Sequence, residues 1–365
     1  MKVLRVSWCR YRIPLRSPLR TARGETRLRE GLILRLEAEG GLRGTGEAAP
    51  DPQRGTEVGA LASVLADVAP RLMGLDLEGA LDTAAGLPPP LAFALETAAL
   101  DVVAQSCGLP LARLLSPTSR PHMAVNALVT GTAPQECARQ AREAVSLGYR
   151  CLKVKVGALP WRLDLQRLAA VREAAGPDVA LRVDANGAWQ GVAEAARSIA
   201  ALAPLGLQYV EQPLPPGRWA EMARLRREAG VPIAADEDVT GLDVARALLE
   251  LGAADVLVLK PSAVGGLGAA LACAALCQRV GAAAVVTTAL ETAIGTAACL
   301  HLAAALPGPP LAAGLATVAL LSDDLAGGAL VPRDGRLALP SAPGLGLVPD
   351  GEALVRCASP WEGVG

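Results

Sequence analysis

The sequence has very little lysine and few aromatic residues. Only four of its 35 basic residues are lysines, and aromatic residues make up 2% of the 365, with a single Phe. The hydrophobic fraction is 52% and comes mostly from Ala, Leu and Val. Such a composition favours helices packed closely on strands and argues against an aromatic-rich, all-β core.

Long runs of one charge and long apolar runs are also missing. The net charge is −1, so we expect neither nucleic acid nor a membrane as a partner. Residues 1–20 alternate basic and apolar side chains, unlike a signal peptide, and no stretch offers the roughly 20 apolar residues of a membrane helix. The eight cysteines form no Cys-x-x-Cys pair and are expected to be buried free thiols. We expect a cytoplasmic protein, and the oligomeric state stays open.

From about residue 125, short apolar runs alternate with amphipathic helical stretches. The helical stretches at Gly217–Gly230 and Gly241–Gly252 each end on Gly, the usual residue after a helix. Eight strand–helix units at this spacing predict a (β/α)₈-type barrel of parallel strands. The eight runs are Val125–Val129, Cys151–Val156, Leu181–Asp184, Gln208–Glu211, Pro232–Asp236, Val256–Lys260, Ala283–Thr287 and Leu311–Leu315.

The first 120 residues have a different pattern. Leu32–Glu37 and Leu42–Glu47 flank Gly40-Gly41 and predict an antiparallel hairpin, and Leu91–Cys107 predicts a helix. We therefore expect an α+β domain over residues 1–120 and the barrel over 121–325. The last segment, 326–365, is too irregular to place from periodicity.

Charged residues end five consecutive predicted strands. Lys155, Asp184, Glu211, Asp236 and Lys260 are separated by 29, 27, 25 and 24 residues, one strand–helix unit each. Their side chains should therefore lie at one height, at the carboxyl ends of the strands, where such barrels bind substrates. Lys153 lies two residues before Lys155 and should point to the same side of its strand.

Three carboxylates without a nearby His or Cys suit a hard cation, and Mg²⁺ fits best. The alternative is that Asp184, Glu211 and Asp236 are salt-bridge partners or helix caps. Matched positions on three strands, flanked by lysines, favour the metal site.

The few lysines support a chemical role. Arg carries surface charge as well as Lys does, but it cannot lose its proton, whereas a partly buried Lys can act as a base. Three of the four lysines lie in the barrel strands, and chance placement is the competing explanation. Lys155 and Lys260 should face each other across the metal, which suits removal of a proton next to a carboxylate.

These motifs resemble the enolase superfamily, muconate-lactonizing subgroup, over nearly the whole chain. The matching pieces are Lys153-Val-Lys155, Asp184-Ala-Asn186, Glu211-Gln-Pro213, Asp236-Glu237, Lys260-Pro261 with Gly265-Gly266, and Gly44–Pro50. The resemblance implies a modified TIM barrel, of class α/β, with an N-terminal α+β capping domain to which residues 326–365 return. It also implies that Asp184, Glu211 and Asp236 bind Mg²⁺, that Lys155 is the base and that Lys260 faces it.

Within the superfamily, Thr287–Gly295 and Ala312–Thr317 are most similar to segments of o-succinylbenzoate synthases, although Thr replaces their serines. This implies Mg²⁺-dependent loss of water from 2-succinyl-6-hydroxy-2,4-cyclohexadiene-1-carboxylate in menaquinone biosynthesis, a carbon–oxygen lyase reaction on a small carboxylate. The residues expected to bind substrate are Lys153, Asn186, Thr288, Arg20 and Arg23.

Two other functions stay open. The first is an N-succinylamino acid racemase or a dipeptide epimerase at the same site. Ser262-Ala263 in place of Gly-Arg, and the absence of an acid in Leu311–Thr317, argue against it. The second is a metal-binding barrel without catalysis, which would have no reason to keep Lys in these strands.

Overall fold

The computed structural model describes residues 1–51 and 55–365. The N-terminal part contains a four-stranded antiparallel sheet in the spatial order β13-β1-β2-β3. Its outermost strand comes from the other end of the chain. The strands are β1 (Val3–Thr21), β2 (Gly24–Ala38), β3 (Arg43–Ala48) and β13 (Glu362–Val364).

The predicted hairpin is present as β2 and β3, with Leu32 opposite Ala48. The sequence did not predict the long β1, whose pairing with β2 continues to Thr21 opposite Gly24. Four helices follow the sheet, and the predicted helix at 91–107 is the third. They are α1 (Val58–Leu72), α2 (Leu77–Ala85), α3 (Pro89–Ser106) and α4 (Leu111–Leu115).

Helix α3 lies directly on β3. A Cβ atom at Gly44 or Gly46 would overlap the carbonyl oxygen of Ala98 or Ala94, so only glycine permits this approach. Eleven of the 18 residues of α3 are buried, on more than one face. A helix that is apolar nearly all round is expected between two packed layers, here the sheet and the barrel.

The second part is a parallel sheet of seven strands in sequential order. Each pair of neighbours is joined by a helical connection, and this order places all the carboxyl ends at one mouth. The strands are β5 (Ala127–Val129), β6 (Cys151–Lys155), β7 (Ala180–Asp184), β8 (Leu207–Glu211), β9 (Ile233–Ala235), β10 (Val256–Leu259) and β11 (Ala283–Val286).

Helices cover the outside of these strands, with apolar faces turned inward. The long ones are α5 (Pro134–Ser146), α6 (Trp161–Ala175), α7 (Val192–Leu202), α8 (Trp219–Glu228), α9 (Leu242–Glu250), α11 (Leu267–Val280) and α12 (Ala293–Ala305), and α10 (Pro261–Val264) is a single turn. Short 3₁₀ turns occur at Glu39–Gly41, Ala203–Leu205 and Val318–Leu320.

The prediction of an eighth strand at Leu311–Leu315 is wrong in detail. The segment forms only isolated parallel bridges, Ala313 with Val125 and Gly314 with Thr287, although these place it between the first and seventh strands of the barrel. It follows prolines, which cannot donate ladder hydrogen bonds, and contains a Gly without a side chain to pack. The predicted barrel with its capping domain is otherwise confirmed.

The chain after the barrel runs back along both parts. Strand β12 (Arg336–Ala338) pairs with β4 (His122–Ala124), and helix α13 (Gly351–Cys357) precedes β13 on the N-terminal sheet. In the described ranges, no helix combines the length and apolar character needed to cross a membrane.

Candidate active site

Five charged side chains meet at the carboxyl ends of consecutive barrel strands. Lys155, Asp184 and Glu211 are the last residues of β6, β7 and β8, and Asp184 is opposite both of the others in the ladder. Asp236 and Lys260 directly follow β9 and β10. The predicted placement at one mouth is therefore confirmed.

The lysines and carboxylates are in direct contact. The Nζ of Lys153 lies 2.6 Å from Glu211 Oε1 and 3.0 Å from Asp184 Oδ2. Lys155 donates to Asp184 Oδ2 at 2.7 Å, and Lys260 donates to Asp236 Oδ2 at 2.7 Å. All three lysine side chains are less than one-fifth exposed, so these pairs lie largely out of water.

The balance of charge favours a further cation. Burial and the neighbouring Asp184 carboxylate raise the pKa of Glu211 to about 8, although the contact with Lys153 opposes this. Burial opposes charge at Asp184 as well, but Lys153 and Lys155 hold the pKa of Asp184 below its usual range. At Lys260, burial is outweighed by Asp236 and Glu237, which raise its pKa. The neighbouring carboxylates and burial therefore disfavour the ionised form of Glu211 unless a further positive charge lies beside it.

The three predicted metal ligands present hard oxygen donors. In the part of the chain that the structure describes, no three His, Cys, Asp or Glu side chains already form a cluster that could hold a metal ion. Lysines occupy one oxygen of each carboxylate, yet Glu211 Oε2 and Asp236 Oδ1 are buried and accept no hydrogen bond from any described residue. Such orphaned carboxylate oxygens are costly unless a cation is bound. Asp184, Glu211 and Asp236 thus fit a hard divalent ion such as Mg²⁺.

Asn186 and two residues that the sequence analysis gave no role surround these ligands. Asn186 accepts from Lys155 Nζ at 2.9 Å and donates to Glu237 Oε1 at 3.0 Å. Gln212 accepts from the backbone N–H of Asp236 at 3.0 Å. Both Asn186 and Gln212 have positive φ, at 45° and 38°, a backbone conformation that is uncommon for residues other than glycine. Gln212 directly follows Glu211 in the sequence, and Glu237 directly follows Asp236. This adjacency to predicted metal ligands was the signal that could have identified both residues.

The wall formed by the seventh and eighth barrel segments carries no charge. The hydroxyl groups of Thr288 and Thr317 lie 2.7 Å apart, and Thr287 donates to Gly314 O at 2.9 Å. These residues line the same pocket as the lysines, together with Leu290. The pocket thus combines an acidic side, two basic sides and a neutral hydroxyl-bearing side.

The two arginines predicted to bind substrate are placed differently. Arg23 lines the pocket, with its Nη1 at 3.5 Å from Glu237 and 3.8 Å from Asp51. Arg20, near the end of β1, instead donates to Glu25 at 2.8 Å and lines an adjoining cleft. The structure therefore brings Arg23, Lys153, Asn186 and Thr288 together and leaves Arg20 outside the central pocket.

Comparison with known protein families agrees with this architecture. A model described as "Mandelate racemase / muconate lactonizing enzyme, N-terminal domain" matches residues 4–116, and one described as "Enolase C-terminal domain-like" matches residues 136–353. The chain belongs to the enolase superfamily. The resemblance stated from the sequence motifs is thereby confirmed, and the chain is an enzyme.

Relatives in the enolase superfamily have different activities. The o-succinylbenzoate synthase of Thermobifida fusca is 42% identical over 215 residues, which cover 58% of this chain and 65% of that protein. The match thus spans just under two thirds of that relative. The L-Ala-D/L-Glu epimerase of Bacillus subtilis is 30% identical over 98% of this chain and 99% of its own, and its substrate-liganded structure has a TM-score of 0.89.

A third relative is a dipeptide epimerase of Enterococcus faecalis, whose structure contains Mg and the dipeptide L-Leu-L-Tyr. It is 28% identical, has a TM-score of 0.89, and the match covers 95% of this chain and 99% of that one. Enolase-superfamily sites use a Lys or His base with one or two Mg²⁺ ions. The donor set found at Asp184, Glu211 and Asp236 is compatible with that chemistry.

Proposed function

We propose that this protein is an o-succinylbenzoate synthase, which removes water from 2-succinyl-6-hydroxy-2,4-cyclohexadiene-1-carboxylate in menaquinone biosynthesis. The observation that carries the proposal is the distribution of charge around the pocket. Lys155 and Lys260 come from the second and sixth barrel strands and flank the three carboxylates, and the remaining wall is neutral. This arrangement suits a substrate that has a carboxylate next to the reacting carbon and no cationic group.

The comparison with the T. fusca relative supports the same activity, because its 42% identity exceeds that of the epimerases. The structure adds a second argument. Among the residues that line the described pocket, the acids are Asp51, Asp184, Asp236 and Glu237, and none belongs to the eighth segment. A substrate amine would therefore meet hydroxyl groups on that side instead of a carboxylate.

Asp184, Glu211 and Asp236 would hold the metal ion. When bound, a divalent cation supplies positive charge beside the substrate carboxylate and stabilises the second negative charge that develops as the proton leaves. Lys153, which contacts two of these acids, would keep the ligand carboxylates in place.

Lys155 is the base in this proposal. Its neutral amine takes the proton from the ring carbon that carries the carboxylate, and the electron pair of that C–H bond moves into an enediolate. As the electrons return to form the ring double bond, the C–O bond breaks, and the Lys155 ammonium gives its proton to the departing hydroxyl on the same face. Water leaves and the ring becomes aromatic. Asn186, at 2.9 Å from Nζ, aims the amine at the substrate.

Lys260 has a different task. Its pKa is raised by Asp236 and Glu237 although burial opposes this, so it stays cationic. A fixed ammonium on the opposite face stabilises the enediolate without exchanging a proton. The two lysines are therefore chemically unequal in a one-base elimination.

The test is turnover of the cyclohexadiene substrate by the purified protein with MgCl₂, followed by the absorbance of the aromatic product. We expect turnover that depends on Mg²⁺. Incubation with N-succinylated amino acids in deuterated water is the comparison assay. Exchange of the α-proton that is faster than aromatisation would contradict the proposal.

Epimerisation of dipeptides or racemisation of N-succinylamino acids is the second candidate. It is favoured by the B. subtilis epimerase, which matches nearly the whole chain. A racemase needs a base on each face, and both lysines are present. However, Ser262-Ala263 replaces the Gly-Arg pair expected of N-succinylamino acid racemases. Ser262 is buried and donates to Glu291 Oε1 at 2.6 Å, and Ala263, at the Arg position, supplies no cation for a succinyl group.

A further inference from the structure

Asn126 lies on the neutral wall of the pocket and has no role in the chemistry described above. It precedes β5, and its backbone N–H donates to Ala313 O at 3.0 Å, which ties it to the eighth segment. Only 6% of the residue is exposed, yet its side chain lines the pocket together with Thr288 and Thr317. It is therefore a buried amide with access to the substrate space.

Arg182 determines which way this amide faces. Arg182 is fully buried, and its Nη1 donates to Ala312 O at 2.7 Å and to Asn126 Oδ1 at 3.4 Å. A guanidinium group has only donors, so the Asn126 atom beside it must be the oxygen. The amide nitrogen Nδ2 consequently lies on the other side, which faces the pocket.

The positive charge of Arg182 also strengthens this donor. Its Nε donates to Gln208 Oε1 at 2.7 Å, and its guanidinium stacks 4.8 Å from the Tyr209 ring centre. Among the residues that the structure describes, none of its partners is a carboxylate, so the charge is not neutralised locally. Such a cation polarises the Asn126 amide. Within the same ranges Nδ2 donates no hydrogen bond and is not among the fully buried side-chain atoms, so it is available to a ligand in the pocket.

We infer that Asn126 is a specificity-determining residue that donates from Nδ2 to the terminal carboxylate of the substrate's succinyl chain, and that Arg182 is its positioning residue. The inference rests on the proposed function, which supplies a substrate with two carboxylates. In the proposed function the ring carboxylate occupies the side of the pocket with the metal ligands and lysines, so the terminal carboxylate lies toward another wall. The neutral wall, with an amide donor backed by a buried cation, accepts it.

The test compares two ligands in the Mg²⁺-loaded protein. o-Succinylbenzoate carries the terminal carboxylate, and 2-butanoylbenzoate has the same ring carboxylate and ketone but lacks it. Dissociation constants are measured by calorimetry for the wild type and for Asn126→Asp. Aspartate keeps an oxygen toward Arg182 and preserves the fold, but it replaces the donor with a second acceptor. We expect the affinity of Asn126→Asp for o-succinylbenzoate to fall by about tenfold or more, and its affinity for 2-butanoylbenzoate to change little.

Arg182→Lys checks the positioning role, because it keeps the charge but loses the planar geometry. We expect Arg182→Lys to lose affinity for o-succinylbenzoate but not for 2-butanoylbenzoate, and to lose less than Asn126→Asp does. Thermal melting of each variant shows whether it is folded. Equal affinity of Asn126→Asp and wild type for o-succinylbenzoate would overturn the inference, as would equal losses for both ligands. If the wild type neither binds o-succinylbenzoate nor aromatises the cyclohexadiene, the proposed function itself fails.

Discussion

The Nζ atom of Lys155 lies 2.7 Å from Oδ2 of Asp184, its partner across the β6–β7 ladder. The proposed base and a proposed metal ligand are thus held on neighbouring strands at the same height. A change in either residue should alter both metal binding and proton transfer. Titration with MgCl₂ measures the first effect, and turnover of Lys155 variants measures the second.

Removal of one metal ligand should weaken Mg²⁺ binding and lower turnover. For Asp184→Asn, Glu211→Gln or Asp236→Asn we expect a loss of at least about a hundredfold in kcat, because an electrostatic stabiliser of the enediolate is lost. Titration with MgCl₂ and steady-state kinetics check this. Asp243→Asn is the matched control, since its carboxylate is exposed on α9. Full activity of the wild type in excess chelator would refute the metal site.

The two facing lysines should respond unequally to substitution. Lys155→Arg should abolish dehydration, because Arg keeps the charge but cannot act as a base at neutral pH. Lys260→Arg should keep part of the stabilisation if the guanidinium fits, and Lys260→Ala should lose more. Turnover of the cyclohexadiene substrate measures all three variants.

A two-base racemase predicts another pattern, since each lysine must then accept a proton in one direction. Both Arg variants would be equally inactive. Substantial turnover by Lys155→Arg would remove Lys155 from the mechanism. Equal loss in both Arg variants would count against the one-base elimination, once melting curves show that Lys260→Arg is folded.

The junction between cap and barrel depends on Glu47. This fully buried carboxylate accepts from Tyr11 Oη at 2.6 Å, from Thr292 N and Oγ1 at 2.9 and 2.6 Å, and from Gly295 N at 2.8 Å. Glu47→Gln replaces one acceptor with a donor that faces other donors. We expect the free energy of unfolding to fall by about 2–4 kcal/mol in urea titrations. Glu30→Gln, on the exposed face of β2, should change it by less than about 0.5 kcal/mol.

His301 should make the protein less stable in mild acid. Burial lowers the pKa of His301 to about 4, because the ring is fully enclosed and its Nδ1 accepts from Ala112 N at 3.0 Å. In the unfolded chain the ring takes a proton near pH 6.5. The unfolded state therefore binds more protons between pH 4 and 6.5, and stability falls as pH decreases through that window, by an amount on the order of 3 kcal/mol.

Urea titrations at several pH values measure this slope. His301→Asn should be less stable overall but show a flatter dependence between pH 4 and 6.5. The other histidine, His122, is exposed, and His122→Asn serves as the matched control variant. An unchanged slope in His301→Asn would show that other groups cause the acid sensitivity.

The order of the barrel strands and the residues at their ends could be predicted from the local sequence pattern. Asp184 and Glu211 could be located because apolar runs ending in a charged residue recur once per strand–helix unit, and this pattern depends only on local chain geometry. The same reasoning failed for Leu311–Leu315, where hydrogen bonding to two neighbouring strands, and not local pattern, decides whether a strand forms.

The partners of the side chains, in contrast, depend on contacts between distant parts of the chain. Asn126 and Arg182 are 56 residues apart, and Glu47 and Thr292 are 245 apart, so nothing local in the sequence predicts their contacts. The alternation of side chains along β1 separates Arg20 from the central pocket, and the register that sets this phase is fixed only when the hairpin pairs. The charged residues at the strand ends can thus be identified from local sequence, because they follow a local pattern. The shape and polarity of the substrate pocket come instead from closure of the barrel and docking of the cap.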